Sequence, residues 1–220
     1  MPAAALVDVD GTLVDSNYVQ LMAWMRAFAR HDLHPPSWLV HRHIGMGGDK
    51  LVAAVTGDDV EKRCGDSLRD AWKQEADALL DEVRLLPGAV DLLRALRERG
   101  WVVVLASSGK PDHTEHSLDL LGDPSLVDAV TTSQDVEQSK PSPELFQTAL
   151  DKVGCERGVV LGDSVWDIES AQRIDLPSVG LRTGGFGEAE LRDAGAGEVH
   201  DDLTYLLRDL DASVLARPAG

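Results

Sequence analysis

Ala4-Ala5-Leu6-Val7-Asp8-Val9-Asp10-Gly11-Thr12-Leu13 decides how this chain is to be read. The apolar run predicts a buried strand over Ala4–Val9. Two carboxylates lie at its end, two residues apart. Side chains alternate along a strand, so Asp8 and Asp10 face the same way, and Gly11 then breaks the strand. Two like charges at a buried strand end repel each other and cost stability unless a cation neutralises them. The pattern asks for a metal ion and for a substrate group that carries its own negative charge.

Beyond this stretch, short runs at Trp101–Ala106, Ala129–Thr131, Gly158–Leu161 and Ser178–Leu181 read as further strands. They alternate with helical patterns, which predicts an α/β fold of βαβ units with a parallel sheet. Val90–Arg99 is apolar at 90, 92, 93 and 96 and stops at Gly100. Pro143–Val153 has Ser142 as its N-cap and Gly154 as its stop. Asp167–Arg173 and Leu203–Leu210 also read as helices.

The alternation fails from about Asn17 to Glu82, where no strand is convincing. Asn17–Arg30, Trp38–His43 and Asp59–Leu80 read as helices, punctuated by Pro35-Pro36 and Gly45-Met46-Gly47-Gly48. Leu86-Pro87-Gly88 marks the return of the alternation. The expected division is residues 1–15 and 86–220 as an α/β core and residues 16–85 as a helical insert. The crevice of an open α/β sheet lies at the carboxyl ends of its strands, so this insert would hang over it and act as a lid.

Composition narrows the function. A formal net charge of −17 on 220 residues disfavours nucleic acid and anionic membrane as partners, because no basic stripe offers counterion release. Any phosphate site in such a chain has to be locally cationic. No apolar run is long enough to span a bilayer, and the N-terminus has no basic region ahead of its apolar run. The reading is a cytoplasmic protein without a signal peptide. Cys64 and Cys155 have no metal-type spacing and read as two reduced thiols.

Three more signals sit at the ends of later strands. Ser107-Ser108-Gly109 offers hydroxyls and backbone N–H groups to an anion, although Ser107 alone also reads as a helix cap. Lys140-Pro141-Ser142-Pro143 sets a lysine in a rigid turn just ahead of a helix. Gly162-Asp163-Ser164-Val165-Trp166-Asp167 supplies a second acidic pair, four residues apart on a helix start; as an alternative, both acids are caps.

Taken together, Asp8-Val9-Asp10-Gly11-Thr12, Ser107, Lys140 and Gly162-Asp163-Ser164-Val165-Trp166-Asp167 resemble the four motifs of the haloacid dehalogenase-like phosphohydrolase superfamily. The helical stretch between the first two motifs resembles the phosphoglycolate phosphatase and β-phosphoglucomutase-like branch. The resemblance implies a Rossmann-like, doubly wound parallel sheet with an inserted α-helical cap domain. It also implies Mg²⁺ as cofactor and a small phosphorylated metabolite as substrate. Asp8 would be the nucleophile that takes the phosphoryl group. Asp10 would be general acid and then base, with its backbone carbonyl on the metal. Thr12, Ser107, Ser108 and Lys140 would hold phosphoryl oxygens, and Asp8, Asp10, Asp163 and Asp167 would form the metal site, Asp167 binding the ion or orienting its waters. Halide removal needs neither a metal nor a second acid, so the retained carboxylates favour phosphate chemistry.

Specificity is expected in the insert. His41-Arg42-His43-Ile44-Gly45-Met46-Gly47-Gly48-Asp49-Lys50 reads as a mobile, locally cationic loop facing the non-phosphate end of the substrate, with Arg42, His43 and Lys50 as contacts. The same stretch also reads as a helix end followed by a turn. Asn17 and Tyr18 would line the entrance. Trp24 and Trp72 read as core of the insert, and His113 and His116 as a solvated helix face. A phosphosugar mutase of the β-phosphoglucomutase type is the alternative activity. A non-catalytic binding protein on the same scaffold is the third reading. Monomer and homodimer both stay open.

Overall fold

A computed structural model describes residues 2–218. Its strands are β1 (Ala4–Val7), β2 (Val14–Asp15), β3 (Arg84–Leu85), β4 (Val102–Ala106), β5 (Ala129–Thr131), β6 (Gly158–Gly162), β7 (Ser178–Leu181) and β8 (Glu198–His200). The α-helices are α1 (Asn17–Arg30), α2 (Ser37–Arg42), α3 (Gly48–Thr56), α4 (Asp58–Asp77), α5 (Ala89–Glu98), α6 (Pro111–Leu121), α7 (Glu144–Val153), α8 (Val165–Gln172), α9 (Glu188–Asp193) and α10 (Leu203–Asp209).

Six strands form one parallel sheet in the order β5-β4-β1-β6-β7-β8. Its centre follows from the apolar run of β1, every residue of which is buried. Ala5 and Val7 pack on one face with Leu92, Leu93 and Leu96 of α5 and Leu203 and Leu206 of α10. Ala4 and Leu6 pack on the other with Leu145, Phe146, Ala149 and Leu150 of α7. Helices therefore cover both faces, and the sheet is doubly wound in the Rossmann-like manner. The chain leaves β1 toward β4 and β5, then returns to lay β6 on the opposite side of β1. The order reverses between β1 and β6, which is where an open α/β sheet forms its crevice.

β1 ends at Val7 rather than Val9. The Val9 carbonyl accepts from the amides of Thr12, Leu13 and Val14, so the chain turns there instead of continuing the ladder. Gly11 sits in that turn at φ +78°, a conformation glycine adopts without strain. α7 starts at Glu144, one residue later than the sequence suggests, and α8 starts at Val165, because Ser164 and not a later residue caps it. β8 and α9 were not expected: β8 is a half-buried edge strand of three residues without an apolar run, and α9 has six residues.

α1 to α4 hold an apolar cluster of their own, built around Trp24, Phe28, Val40, Leu51, Val52, Leu68 and Trp72. The chain passes into these helices along β2 and back along β3. The two pair antiparallel, Val14 opposite Leu85 and Asp15 opposite Arg84. Residues 41–50 are not one loop. His41 and Arg42 close α2, and Gly48, Asp49 and Lys50 open α3, because the following Leu51-Val52-Ala53-Ala54-Val55 run carries helix periodicity that the glycines mask.

Candidate active site

Asp8 follows β1 directly, and its amide still bonds the Leu161 carbonyl of β6 at 2.9 Å. Asp163 directly follows β6. Pairing of the two strands thus brings both carboxylates to one spot from residues 155 apart in the chain. Ser164 caps α8 in a capping box whose third-residue partner is Asp167. Asp167 Oδ2 accepts from the Ser164 hydroxyl at 2.5 Å, and its Oδ1 lies 2.7 Å from Lys140 Nζ. The capping role foreseen for Asp167 is real, and its other oxygen faces the site. Lys140 also donates to Asp8 Oδ1 and, at 3.3 Å, to the Ala106 carbonyl. Asp8, Lys140, Asp163 and Asp167 are 5%, 1%, 2% and 1% exposed, so their charges act on one another with little solvent screening.

The electrostatics follow. Burial, together with the Asp167 and Asp10 charges, pushes the Asp8 carboxyl up to about 7, although Lys140 pulls the other way. Burial and the Asp8 and Asp167 charges hold Asp163 well above the usual carboxylate range. Burial alone would lower Lys140, but the Asp167 and Asp8 carboxylates outweigh it and hold the ammonium above its ordinary value. One ammonium thus stands against three buried carboxylates. Oxygens of Asp8, Asp163 and Asp167 lie within 4.8 Å of one another, and no second grouping of this kind occurs among the described residues. Three carboxylates with only oxygen donors suit a hard divalent cation, and the trio can hold one.

The loop after β7 closes the cluster from another side. A Cβ on Gly184 would meet Asp163 Oδ2 at 2.1 Å, so only glycine fits there. The adjacent Thr183 hydroxyl donates to the Gly11 carbonyl at 2.6 Å. Sequence reading missed both residues. A Thr-Gly-Gly run just past a strand end was the available signal.

Asp8 and Asp10 line a cavity of about 60 Å³ with Gln20, Trp24, Trp72, the Ile44–Gly48 turn, Leu51, Ser108 and Gly109. Asp10 Oδ1 accepts from Ser16 at 2.6 Å and its Oδ2 from the Ser107 hydroxyl at 3.4 Å. The buried Ser108 hydroxyl has no protein partner and lies against this cavity. Thr12 donates to Asp163 Oδ1 at 3.2 Å. A second chamber of about 220 Å³ shares Gly47, Gly48, Trp72 and Ser108 with the first and reaches Arg69, Lys110 and Ser139. Trp24 and Trp72, stacked with ring centroids 5.3 Å apart, are core residues as expected and cavity wall as well.

The residues expected to meet the substrate from the insert lie elsewhere. Arg42 pairs with Glu190 and lies 4.2 Å over the Phe186 ring. His43 bonds the Leu39 carbonyl at 2.8 Å and stacks on Trp166. Lys50 donates to the Ser139 carbonyl at 2.5 Å. All three are engaged by the protein, and none lines the cavity beside Asp8. The Ile44–Gly48 turn reaches that cavity instead. Asn17 is buried with its amide on Asp163 Oδ2 at 2.7 Å. His113 is no solvated residue: it is 6% exposed, bonds Asp77 of α4 at 2.8 Å and meets the Trp72 ring. Cys64 and Cys155 are free thiols.

The family model of haloacid dehalogenase-like hydrolases matches residues 2–175, a span that takes in Asp8, Asp10, Ser107, Lys140, Asp163 and Asp167. This chain belongs to that family. Among its relatives is validoxylamine A 7'-phosphate phosphatase of Streptomyces hygroscopicus subsp. limoneus, 30% identical over 195 residues, 86% of this chain and 90% of the relative. Phosphoglycolate phosphatase of Rhodospirillum rubrum is 29% identical and matches 94% of this chain and 90% of its own length. A hydrolase from Pseudomonas syringae superposes with a TM-score of 0.90 at 33% identity, over 96% of this chain and 98% of the other. This haloacid dehalogenase-like hydrolase has no helix long and apolar enough to cross a membrane among its described residues.

Proposed function

We propose that this enzyme is a Mg²⁺-dependent phosphatase that hydrolyses a small-molecule phosphomonoester through an aspartyl-phosphate on Asp8. The observation that carries the reading is the meeting of Asp8, Asp163 and Asp167 around Lys140 at the carboxyl ends of β1 and β6, with Asp8 and Asp10 in the wall of one cavity. The phosphatase names of the matched relatives support it.

Asp8 attacks phosphorus with one carboxylate oxygen as the bond to the leaving oxygen breaks, and Asp10 gives that oxygen its proton. A water molecule then attacks the phosphoryl group, Asp10 takes the proton, and Asp8 and inorganic phosphate are released. The covalent intermediate divides one hard displacement into two easier ones. Lys140 and the hydroxyls of Ser107 and Ser108 bind phosphoryl oxygens and offset the charge that builds on them. Asp8, Asp163, Asp167 and the Asp10 backbone carbonyl would hold Mg²⁺, which when bound neutralises phosphate charge. Thr12, donating to Asp163 Oδ1, would hold that carboxylate in place for the ion. Residues 16–85 form the cap, whose Ile44–Gly48 turn, Trp24 and Trp72 enclose the reacting group and contact the rest of the substrate while leaving room for the attacking water.

The test is a panel of sugar phosphates, phosphoglycolate and acetyl phosphate with Mg²⁺, read by phosphate release. Wild type should release phosphate without forming sugar-phosphate isomers. Asp8→Asn should lose at least about 10⁴-fold in kcat while staying folded. Substantial turnover by folded Asp8→Asn refutes the nucleophile assignment, and isomer formation without phosphate release refutes hydrolysis.

A further inference from the structure

Asn17 opens α1, the first helix after the β2 passage, yet its side chain reaches the acidic cluster below. Its Nδ2 donates to Asp163 Oδ2 at 2.7 Å, and both side chains are buried. Its Oδ1 is also buried and has no hydrogen-bond partner in the protein. A buried amide oxygen left without a donor is destabilising, so such an atom calls for an explanation. The approach is tight as well. A Cβ on Gly11 would stand 2.2 Å from Asn17 Nδ2 and 2.2 Å from Asp163 Oδ2, so the first motif leaves its glycine bare where these two groups meet.

We infer that Asn17 is a positioning residue for the metal site: Nδ2 fixes the rotamer of Asp163, and Oδ1 accepts a hydrogen bond from water of the ion's hydration shell. The inference rests on the proposed Mg²⁺ site. Mg²⁺ keeps several waters when protein carboxylates bind it, and those waters are donors only, so an unpartnered acceptor beside a carboxylate ligand matches their chemistry. Asp163 has two oxygens, one held by Thr12 at 3.2 Å and one by Asn17. Two donors from different segments thus set the carboxylate plane before an ion arrives. Outer partners that orient a ligand typically change metal affinity by about 10–100-fold when removed. Because Asn17 belongs to α1, the helical segment takes part in the ion site as well as in the cavity.

Mg²⁺ titration by calorimetry on wild type, Asn17→Leu and Asn17→Ser tests this. Leu keeps the volume without either hydrogen bond, and Ser is the alternative where Leu does not fold. Mg²⁺ affinity should fall about 10–100-fold. The Mg²⁺ concentration for half-maximal phosphate release should rise in parallel, while KM at saturating Mg²⁺ stays near wild type. Folded variants that bind Mg²⁺ as wild type does overturn the inference, as does a raised KM with unchanged Mg²⁺ affinity. Failure of wild type itself to bind Mg²⁺ overturns the metal site instead, so the two failures are distinguishable.

Discussion

Lys140 Nζ lies 2.7 Å from Asp167 Oδ1, a contact between the loop before α7 and the first turn of α8. The same ammonium bonds Asp8, so one buried cation joins the ends of three segments. Removing one partner of a buried pair leaves charge uncompensated, at a cost of about 3–5 kcal/mol. Lys140→Met should therefore destabilise the metal-free protein by about that much, as well as abolish turnover. Urea unfolding at neutral pH without divalent ions measures it. An unchanged midpoint would mean that the carboxylates do not depend on this lysine.

Metal removal should make stability depend on pH. Asp8 is held at about 7 against an ordinary 3.8, and Asp163 is raised too. A carboxyl raised in the fold contributes stability that is complete below its unfolded value and is lost as pH rises through the folded one. Lys140 is raised as well, so its contribution persists throughout this range and does not cancel the slope. The Tm of the metal-free protein should fall between about pH 4 and about pH 7, and Mg²⁺ should flatten that fall. A level Tm without metal across this window would count against the buried acidic cluster.

Asp10 should matter most where the leaving group needs a proton. Asp10→Asn is expected to lower kcat about 10²–10⁴-fold on an alkyl phosphate. The loss should be smaller on p-nitrophenyl phosphate, whose phenolate leaves unaided, in the step that forms the aspartyl-phosphate. Burst kinetics separate the two steps. Equal losses of phosphoenzyme formation on both substrates would remove Asp10 from the role of acid.

The Asp77–His113 contact should have its own pH signature. The His113 bond, followed by Lys73, holds the Asp77 carboxyl below its usual range. A lowered carboxyl stabilises the fold above its unfolded value and loses that contribution as pH falls through the folded one. Asp77→Asn should therefore melt below wild type at neutral pH, and the gap should close below about pH 4. A gap independent of pH would assign the effect to packing alone.

The parts legible in the sequence were those written in short-range patterns. The apolar run ending at Asp8 and the Gly162-Asp163 end of β6 marked the central strands, and with them the acidic pair that the sheet brings together. Arg42, His43 and Lys50 could not be read, because their partners Glu190, Trp166 and Ser139 are distant in the chain and polar or singly aromatic. α3 was hidden behind Gly47-Gly48. His113 did leave a trace: His113, Ser117 and Leu121 are spaced by four on α6 and all are buried, which marks an inward face despite its polarity. Asn17 gave no sign of its contact with Asp163, since an asparagine at a helix start usually serves its own helix.

The β2–β3 ribbon has one more implication. Both strands that join the four helices to the sheet run side by side, so the joint has one seam rather than two separated attachments. Lengthening, shortening or exchanging what lies between Tyr18 and Arg84, which spares Ser16 on Asp10 and Asn17 on Asp163, leaves the register of the six-stranded sheet untouched. On the proposed reading of the insert as a cap, selection can thus rework which molecules this enzyme accepts while the acid–lysine cluster beneath stays as it is.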